Sequence, residues 1–176
     1  MSWYAIFVKT GEEDVVGQYI HYHFHQSEYN LIIPKKKMNE RREGKLYSVV
    51  KTLFPGYVFI NIEMSVNMYY IINQIPKVYK ILNNSCEFYS KINNAEIEPI
   101  LRLIPENNII DYSKVFMENS KIHVESGPLK GFEGLIKKID KRKSRAKIAL
   151  NFMGSEKLVE LGIELITLAD EKNKYK

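Results

Sequence analysis

The sequence predicts an α+β protein: an antiparallel sheet flanked by helices, followed by a small all-β barrel. Three observations carry this. The run WYAIFVK (Trp3–Lys9) is rich in β-formers and of strand length, and it leads into a segment whose apolar residues recur at helical spacing. From residue 121 onward, short β-rich runs follow one another with tight turns and no helical period. Between them PENNIIDYSKVFMENS (Pro105–Ser120) is asparagine-rich and aperiodic, which marks a linker. The expected division is a first domain over 1–105, a linker over 106–118 and a second domain over 119–170.

Each element has a local reason. Glu12, Glu13 and Asp14 suit the positive end of a helix dipole, and Val15, Val16, Tyr19, Ile20 and Phe24 give the helical spacing, so a helix is expected over Glu12–Ser27. From Tyr29 to Met64, β-rich runs alternate with charged or glycine-containing turns, as in an antiparallel sheet. Within it TLFPGYVFINI (Thr52–Ile62) breaks one strand at Pro55-Gly56 and starts another. Val58, Ile60 and Ile62 then share one face, with Tyr57, Phe59 and Asn61 on the other. The aliphatic face is expected in the core. The aromatic face needs cover, from the protein's own helices or from a partner. Further helices are expected over Asn67–Ile75 and Asn94–Ile104, the latter with Pro99 near its first turn. Barrel strands are expected over Lys121–Glu125, Glu133–Ile139, Arg145–Asn151, Glu156–Leu161 and Glu164–Ile166. Gly127-Pro128 is a turn pair, and Gly131 and Gly134 are expected to allow tight bends and close backbone approach. These features alone point to an SH3-like barrel. The tail from Asp170 is expected to fray.

Composition narrows the function classes. Cys86 is the only cysteine, which excludes an intrachain disulfide and a multi-cysteine zinc site and fits a reducing, cytoplasmic setting. Cys86 itself reads as a small, partly buried residue. The opening MSWYAIFVKTGEED has no basic stretch running into a long apolar core, and no apolar run approaches the roughly 20 residues that span a bilayer. No membrane association is expected. A net charge of +5 favours an anionic partner without identifying it. His21, His23 and His25 alternate, but only His21 and His25 would share a helix face and no third ligand has suitable spacing, so no metal is expected. His123, in a strand, reads as structural or peripheral. No serine lies in a nucleophile elbow, and there is neither a phosphate-binding loop nor a dinucleotide fingerprint. The chain is therefore read as a binding protein, not an enzyme, with no cofactor.

The basic residues cluster. Lys130, Lys137, Lys138, Lys141, Arg142, Lys143, Arg145 and Lys147 stand against only Glu133 and Asp140 in that stretch. This hairpin alone exceeds the net charge of the whole chain. It is either a turn kept soluble by charge or a corner that binds folded RNA through phosphates.

The segments WYAIFVKTGEE, LFPGYVFI and IPKVYKIL together resemble the NGN domain of NusG-type transcription elongation factors. IHVESGPLKGFEGLIKKID, SRAKIAL and GSEKLVEL resemble the KOW module that follows it. The resemblance spans almost the whole chain in the right order. It implies an NGN domain that docks on the clamp helices of the RNA polymerase largest subunit through an apolar pocket, matched here by Phe7, Tyr57 and Phe59. Trp3 and Tyr4 match the aromatic start of the first strand, where packing is the expected role. Where RfaH-like paralogs carry His-Thr-Thr, this chain has Met68-Tyr69-Tyr70, so the polar contact is missing. Where general NusG proteins carry Ile-Phe-Gly-Arg for Rho or a ribosomal protein, it has Phe152-Met153-Gly154-Ser155. With its unusually basic segment between Pro34 and Phe54, the chain most resembles the specialised antitermination paralogs of the LoaP type, which are associated with an RNA hairpin in the leader transcript. The resemblance implies a monomeric elongation regulator that promotes processive antitermination, with the KOW module on structured leader RNA. The alternatives are a general NusG factor coupling polymerase to Rho or the ribosome, and a ribosome-associated KOW RNA-binding protein. Some paralogs refold the KOW region as helices. Here Ile122, Val124, Ile136, Ile139, Ile148 and Leu150 favour strands.

Overall fold

The computed structural model describes residues 1–83, 87–118 and 121–167. Cys86 and the tail from Asp170 lie outside the described residues. In chain order the elements are β1 (Ser2–Val8), α1 (Glu13–His23), β2 (Tyr29–Ile32), β3 (Lys35–Arg42), β4 (Lys45–Thr52), β5 (Tyr57–Ile62), α2 (Val66–Gln74) and β6 (Val78–Ile81). They continue with α3 (Asn94–Leu103), β7 (Ile109–Ile110), β8 (Ser113–Glu118), β9 (Lys121–Ser126), β10 (Ile136–Asp140), β11 (Arg145–Phe152) and β12 (Ser155–Leu165). The mixed α+β class and the β-structure of the C-terminal region are as the sequence predicts. The chain forms two compact units, one of Met1–Pro34 and Phe54–Glu98, the other of Lys35–Leu53 and Pro99–Lys176.

The first unit is built on a four-stranded sheet in the order β2-β5-β1-β6. β1 and β5 run antiparallel with Phe7 opposite Tyr57 and Ala5 opposite Phe59. The even positions of both strands, Tyr4, Ile6 and Val8 with Val58, Ile60 and Ile62, enter one core with Val16 and Ile20 of α1 and Ile72 of α2. The aliphatic face of β5 is thus in the core, as expected from its period. α1 ends at His23, four residues earlier than the helical spacing suggests. Phe24 turns to extended backbone, and a short 3₁₀ turn over Gln26–Glu28 follows, capped by the side chain of His25. His21 bonds the Tyr29 hydroxyl, and among the described residues no cluster of His, Cys, Asp and Glu could hold a metal ion.

The second unit differs from the expected division at two places. The basic stretch after Pro34 does not extend the first sheet. β3 and β4 form their own hairpin, Arg42 opposite Lys45, within a sheet of order β4-β3-β7. The stretch expected as a linker contains β7 and β8. β8 pairs with β9 and, in parallel, with β12, completing the order β10-β11-β12-β8-β9. The two expected runs Glu156–Leu161 and Glu164–Ile166 are one strand, β12. Pro99 lies inside α3, just past its first turn. His123 stacks on Phe116 with ring centroids 5.0 Å apart, a packing role.

Close backbone approach occurs at glycines other than those expected. A Cβ on Gly131 or Gly134 would meet nothing within 4 Å. On Gly162, in the middle of β12, it would lie 2.6 Å from the Tyr112 ring and 2.7 Å from the Lys37 carbonyl oxygen. The missing side chain is what lets β3 pass against β12. Gly162→Ala is therefore expected to destabilise the second unit by about 1–3 kcal/mol through overpacking, while Gly134→Ala stays within about 0.5 kcal/mol of the parent. Urea unfolding read from a second-unit probe checks this. Equal midpoints for both variants would disprove the seating of β3 on Gly162.

Candidate functional site

Two surfaces of different chemistry stand out, one in each unit. In the first unit β1, β5 and β6 bring three rings together. Phe7 lies 5.5 Å from Tyr57 and 5.2 Å from Tyr79, centroid to centroid. Phe7 and Tyr57 are half-buried and Tyr79 is 60% exposed. Tyr79 escaped the sequence reading although it lies in the quoted IPKVYKIL, because a four-residue strand gives too little alternation to assign a face. The loop into Tyr57 is fixed by a buried carboxylate. Glu13 accepts hydrogen bonds from the Gly56 N–H (2.7 Å) and the Gly11 N–H (3.0 Å), and the Val8 N–H donates to the Gly56 carbonyl at 2.8 Å. Gly56 adopts φ +84°, open to glycine at little cost.

Phe59 requires a correction. It shares a strand face with Tyr57, as the alternation predicts, but it is only 1% exposed and packs edge-on against Phe54 with centroids 5.6 Å apart. The protein covers this part of the aromatic face itself, so Phe59 is core and not solvent-facing. Tyr4 is core as well, while Trp3 is half-buried. Met68, Tyr69 and Tyr70 lie at the start of α2, and Tyr69 contacts Tyr70, Phe88 and Tyr89.

In the second unit the eight basic positions fall into two groups. Lys137 lies 3.7 Å from Glu156, Lys147 lies 3.6 Å from Glu160, and Arg145 holds Glu160 at 2.9 Å. Arg145 also donates to the Asn39 carbonyl at 3.3 Å and is committed to the fold. Lys130, Lys138, Lys141, Arg142 and Lys143 are exposed and form no ion pair among the described residues. Three of these five follow one another in the β10–β11 turn. That turn is shaped by Asp140, which accepts from the Lys143 N–H at 3.0 Å, and by Ser144 at φ +51°.

The β3–β4 hairpin adds seven Lys and Arg against two Glu to the same unit. Several bonds fix it to the barrel. Tyr112 donates from its hydroxyl to Asn39 Oδ1 at 2.7 Å, and Lys37 pairs with Asp111 at 2.8 Å. A cleft of about 530 Å³ opens between hairpin and turn, lined by Arg41 and Leu46 on one side and Arg142 and Lys143 on the other. The hairpin's charge is plain in the sequence, but its place beside the turn is not.

The charges shift one another. Hydrogen bonds from Lys51 and Arg42 hold the Glu40 carboxyl below the usual range, and Lys37 does the same for Asp111. Burial pushes Glu160 up, but the Arg145 hydrogen bond and charge, with Lys147, outweigh it and leave Glu160 lowered. Burial lowers Lys36.

Comparison with known proteins gives one consistent result. Residues 1–101 match the family model described as "Transcription termination factor nusG". The chain is 28% identical to the transcription termination/antitermination protein NusG of Buchnera aphidicola, over 97% of this chain and 96% of that protein. It is 25% identical to the Pasteurella multocida protein of the same name, over 90% of each. A solved structure described as "Domain interaction in Thermotoga maritima NusG" has the same fold, with a TM-score of 0.56 at 22% identity, covering 92% of this chain and 93% of that one.

The lowered carboxyls make a prediction with a definite sign. Their folded pKa values lie below the unfolded ones, so the stability they contribute is present above the ordinary carboxylate range (about 4) and is lost as pH falls through the folded values. The second unit should therefore lose stability on acidification below about pH 4, and Glu160→Gln should flatten that dependence. Carbon-detected NMR titration of Glu160 is the direct check: an unshifted or raised carboxyl would contradict the Arg145 pairing.

Proposed function

The chain belongs to the NusG family, and on that premise we propose that it is a transcription elongation regulator that works by binding, through two surfaces of different chemistry, and not by catalysis. The NGN part, within 1–105, docks on the clamp helices of the RNA polymerase largest subunit. Phe7 and Tyr57, joined by Tyr79, supply the apolar contact. The KOW barrel, with its 119–170 core completed by β8, recognises structured leader RNA. Holding the polymerase while retaining the leader RNA favours processive antitermination, as in LoaP-type paralogs.

One observation supports the division of labour above all others. The second unit carries 22 of the 26 Lys and Arg against 13 Asp and Glu, while the first carries 4 against 8. An excess of this size on one compact unit draws a polyanion to that unit. The opposite balance on the first unit leaves its ring cluster as the natural contact for a protein. A second reading, a general factor coupling polymerase to Rho or the ribosome, draws on the relatives' names. In its disfavour, Phe152 is buried and the tip between β11 and β12 offers Met153 and Gly154 with no ring or guanidinium.

Polymerase pull-down with point variants tests the first half. Tyr57→Ala, Phe7→Ala or Tyr79→Ala should each weaken binding, with the central ring costing about 2 kcal/mol or more, and leave the protein folded. Phe59→Ala should instead destabilise the fold by about 3–5 kcal/mol. Full polymerase retention by all three surface variants would remove this surface from the interface. For the second half, Arg142→Ala and Lys143→Ala should weaken binding of a leader hairpin while polymerase capture is unchanged.

A further inference from the structure

The proposed RNA reading rests on the β10–β11 turn, but that turn is only one side of the cleft. Arg41, on β3, is exposed and lines the same cleft as Arg142 and Lys143. None of these three forms an ion pair among the described residues. The two sides are braced by the bonded pair of Asn39 and Arg145, both of which also line the cleft. Tyr112 holds Asn39 from its side chain, and the Ser48 hydroxyl lies 3.2 Å from the Tyr112 hydroxyl. The hairpin is thus pre-positioned and need not be ordered by a ligand.

Two carboxylates close to these cations are already occupied. Glu40, which lines the cleft, pairs with Lys51 and Arg42, and Glu160 pairs with Arg145 and Lys147. Neither leaves an unopposed negative charge against a phosphate. The lining also contains no Phe, Tyr or Trp. Proteins that hold unpaired RNA bases rely on aromatic stacking, whereas duplex RNA is bound by shape and through phosphates and 2′-hydroxyls. A groove with guanidinium groups on both sides and no stacking ring suits the second class.

Building on the RNA-binding reading, we infer that the site is two-walled: the β3–β4 hairpin forms its second wall, Arg41 is a phosphate contact equal in kind to Arg142, and the cleft takes the sugar–phosphate edge of an RNA stem. Arg145 is then a positioning residue that fixes the distance between the walls.

The experiment measures binding of the full-length chain to an RNA stem-loop of about one helical turn, and to an unpaired strand of equal length, across a range of salt concentrations. The parent should prefer the stem. Arg41→Ala should weaken stem binding severalfold, by a factor similar to Arg142→Ala, and each should lower the log–log salt slope by about one. Arg41→Lys should keep the slope. Lys91→Ala, which removes an exposed charge from the first unit, should change neither. If Arg41→Ala binds like the parent while Arg142→Ala and Lys143→Ala do not, the hairpin wall is disproved and the turn alone binds RNA. Equal binding of unpaired strand and stem would overturn the duplex assignment. If the parent binds neither RNA, the RNA reading itself fails and this inference falls with it.

Discussion

The approach of β3 to β12 at Gly162 is the contact on which the basic unit depends. A strand interior with no side chain admits the Lys37 carbonyl and the Tyr112 ring into space a Cβ would fill. Once β3 lies there, Asn39 comes within reach of two donors, the Tyr112 hydroxyl through its side chain and Arg145 through its carbonyl. Lys37 reaches Asp111. These bonds draw on three separate stretches of chain: the hairpin, the segment before β8, and β11. Any bulk at 162 would push directly on the first two, since the obstructing atoms are the Tyr112 ring and the Lys37 backbone oxygen and not the tip of a flexible side chain.

Gathering so many cations in one small unit works against its stability, because like charges repel in the folded state more than in the expanded one. The fold answers with placement. Several cations of the unit have carboxylate partners, as Arg145 and Lys147 do on Glu160 and Lys51 does on Glu40. Those at the turn tip face water instead, where exposed pairs would have contributed little. A cation already satisfied by a carboxylate must exchange partners to bind a phosphate. An unpaired one does not. Charges committed to the fold and charges left to solvent can therefore be told apart by their partners, although they are neighbours in sequence: among the described residues Lys143 has no ion pair, while Arg145 is held by Glu160.

Much of this was legible in the sequence, and the limits have physical causes. Strand alternation in VFINI assigned the aliphatic face to the core, because only one of its two faces is aliphatic. The same alternation could not say that the protein itself covers Phe59, since period 2 reports which residues share a face and not what lies over it. The charge cluster was plain from composition. Its neighbour was not, because KKKMNERR has Met38 as its only apolar residue and so gives no signal of where its buried side is directed. The aperiodic look of Pro105–Ser120 hid a short true alternation, with Ser113 and Val115 buried and Lys114 and Phe116 less so. The buried serine broke the hydrophobic pattern, and its hydroxyl instead accepts from the Leu129 N–H at 3.0 Å. Gly162 was the one overlooked pointer. An isolated glycine inside a strand pattern is itself a sign of close backbone approach.

The order of the chain adds a constraint that the charge pattern alone does not contain. The sequence passes between the two units three times, after Pro34, after Leu53 and after Glu98. The hairpin of the basic unit is therefore inserted between two strands, β2 and β5, that pair with each other in the first unit's sheet. A break in 106–112, ahead of β8, severs the covalent path from the barrel strands to the hairpin and leaves Arg41 and Asn39 joined through the chain only to the strands of the first unit. In the intact chain the two stretches of this cation pattern are joined through the first unit. A cleft with both walls is thus tied through the chain to the first unit, and the barrel strands by themselves carry only the turn.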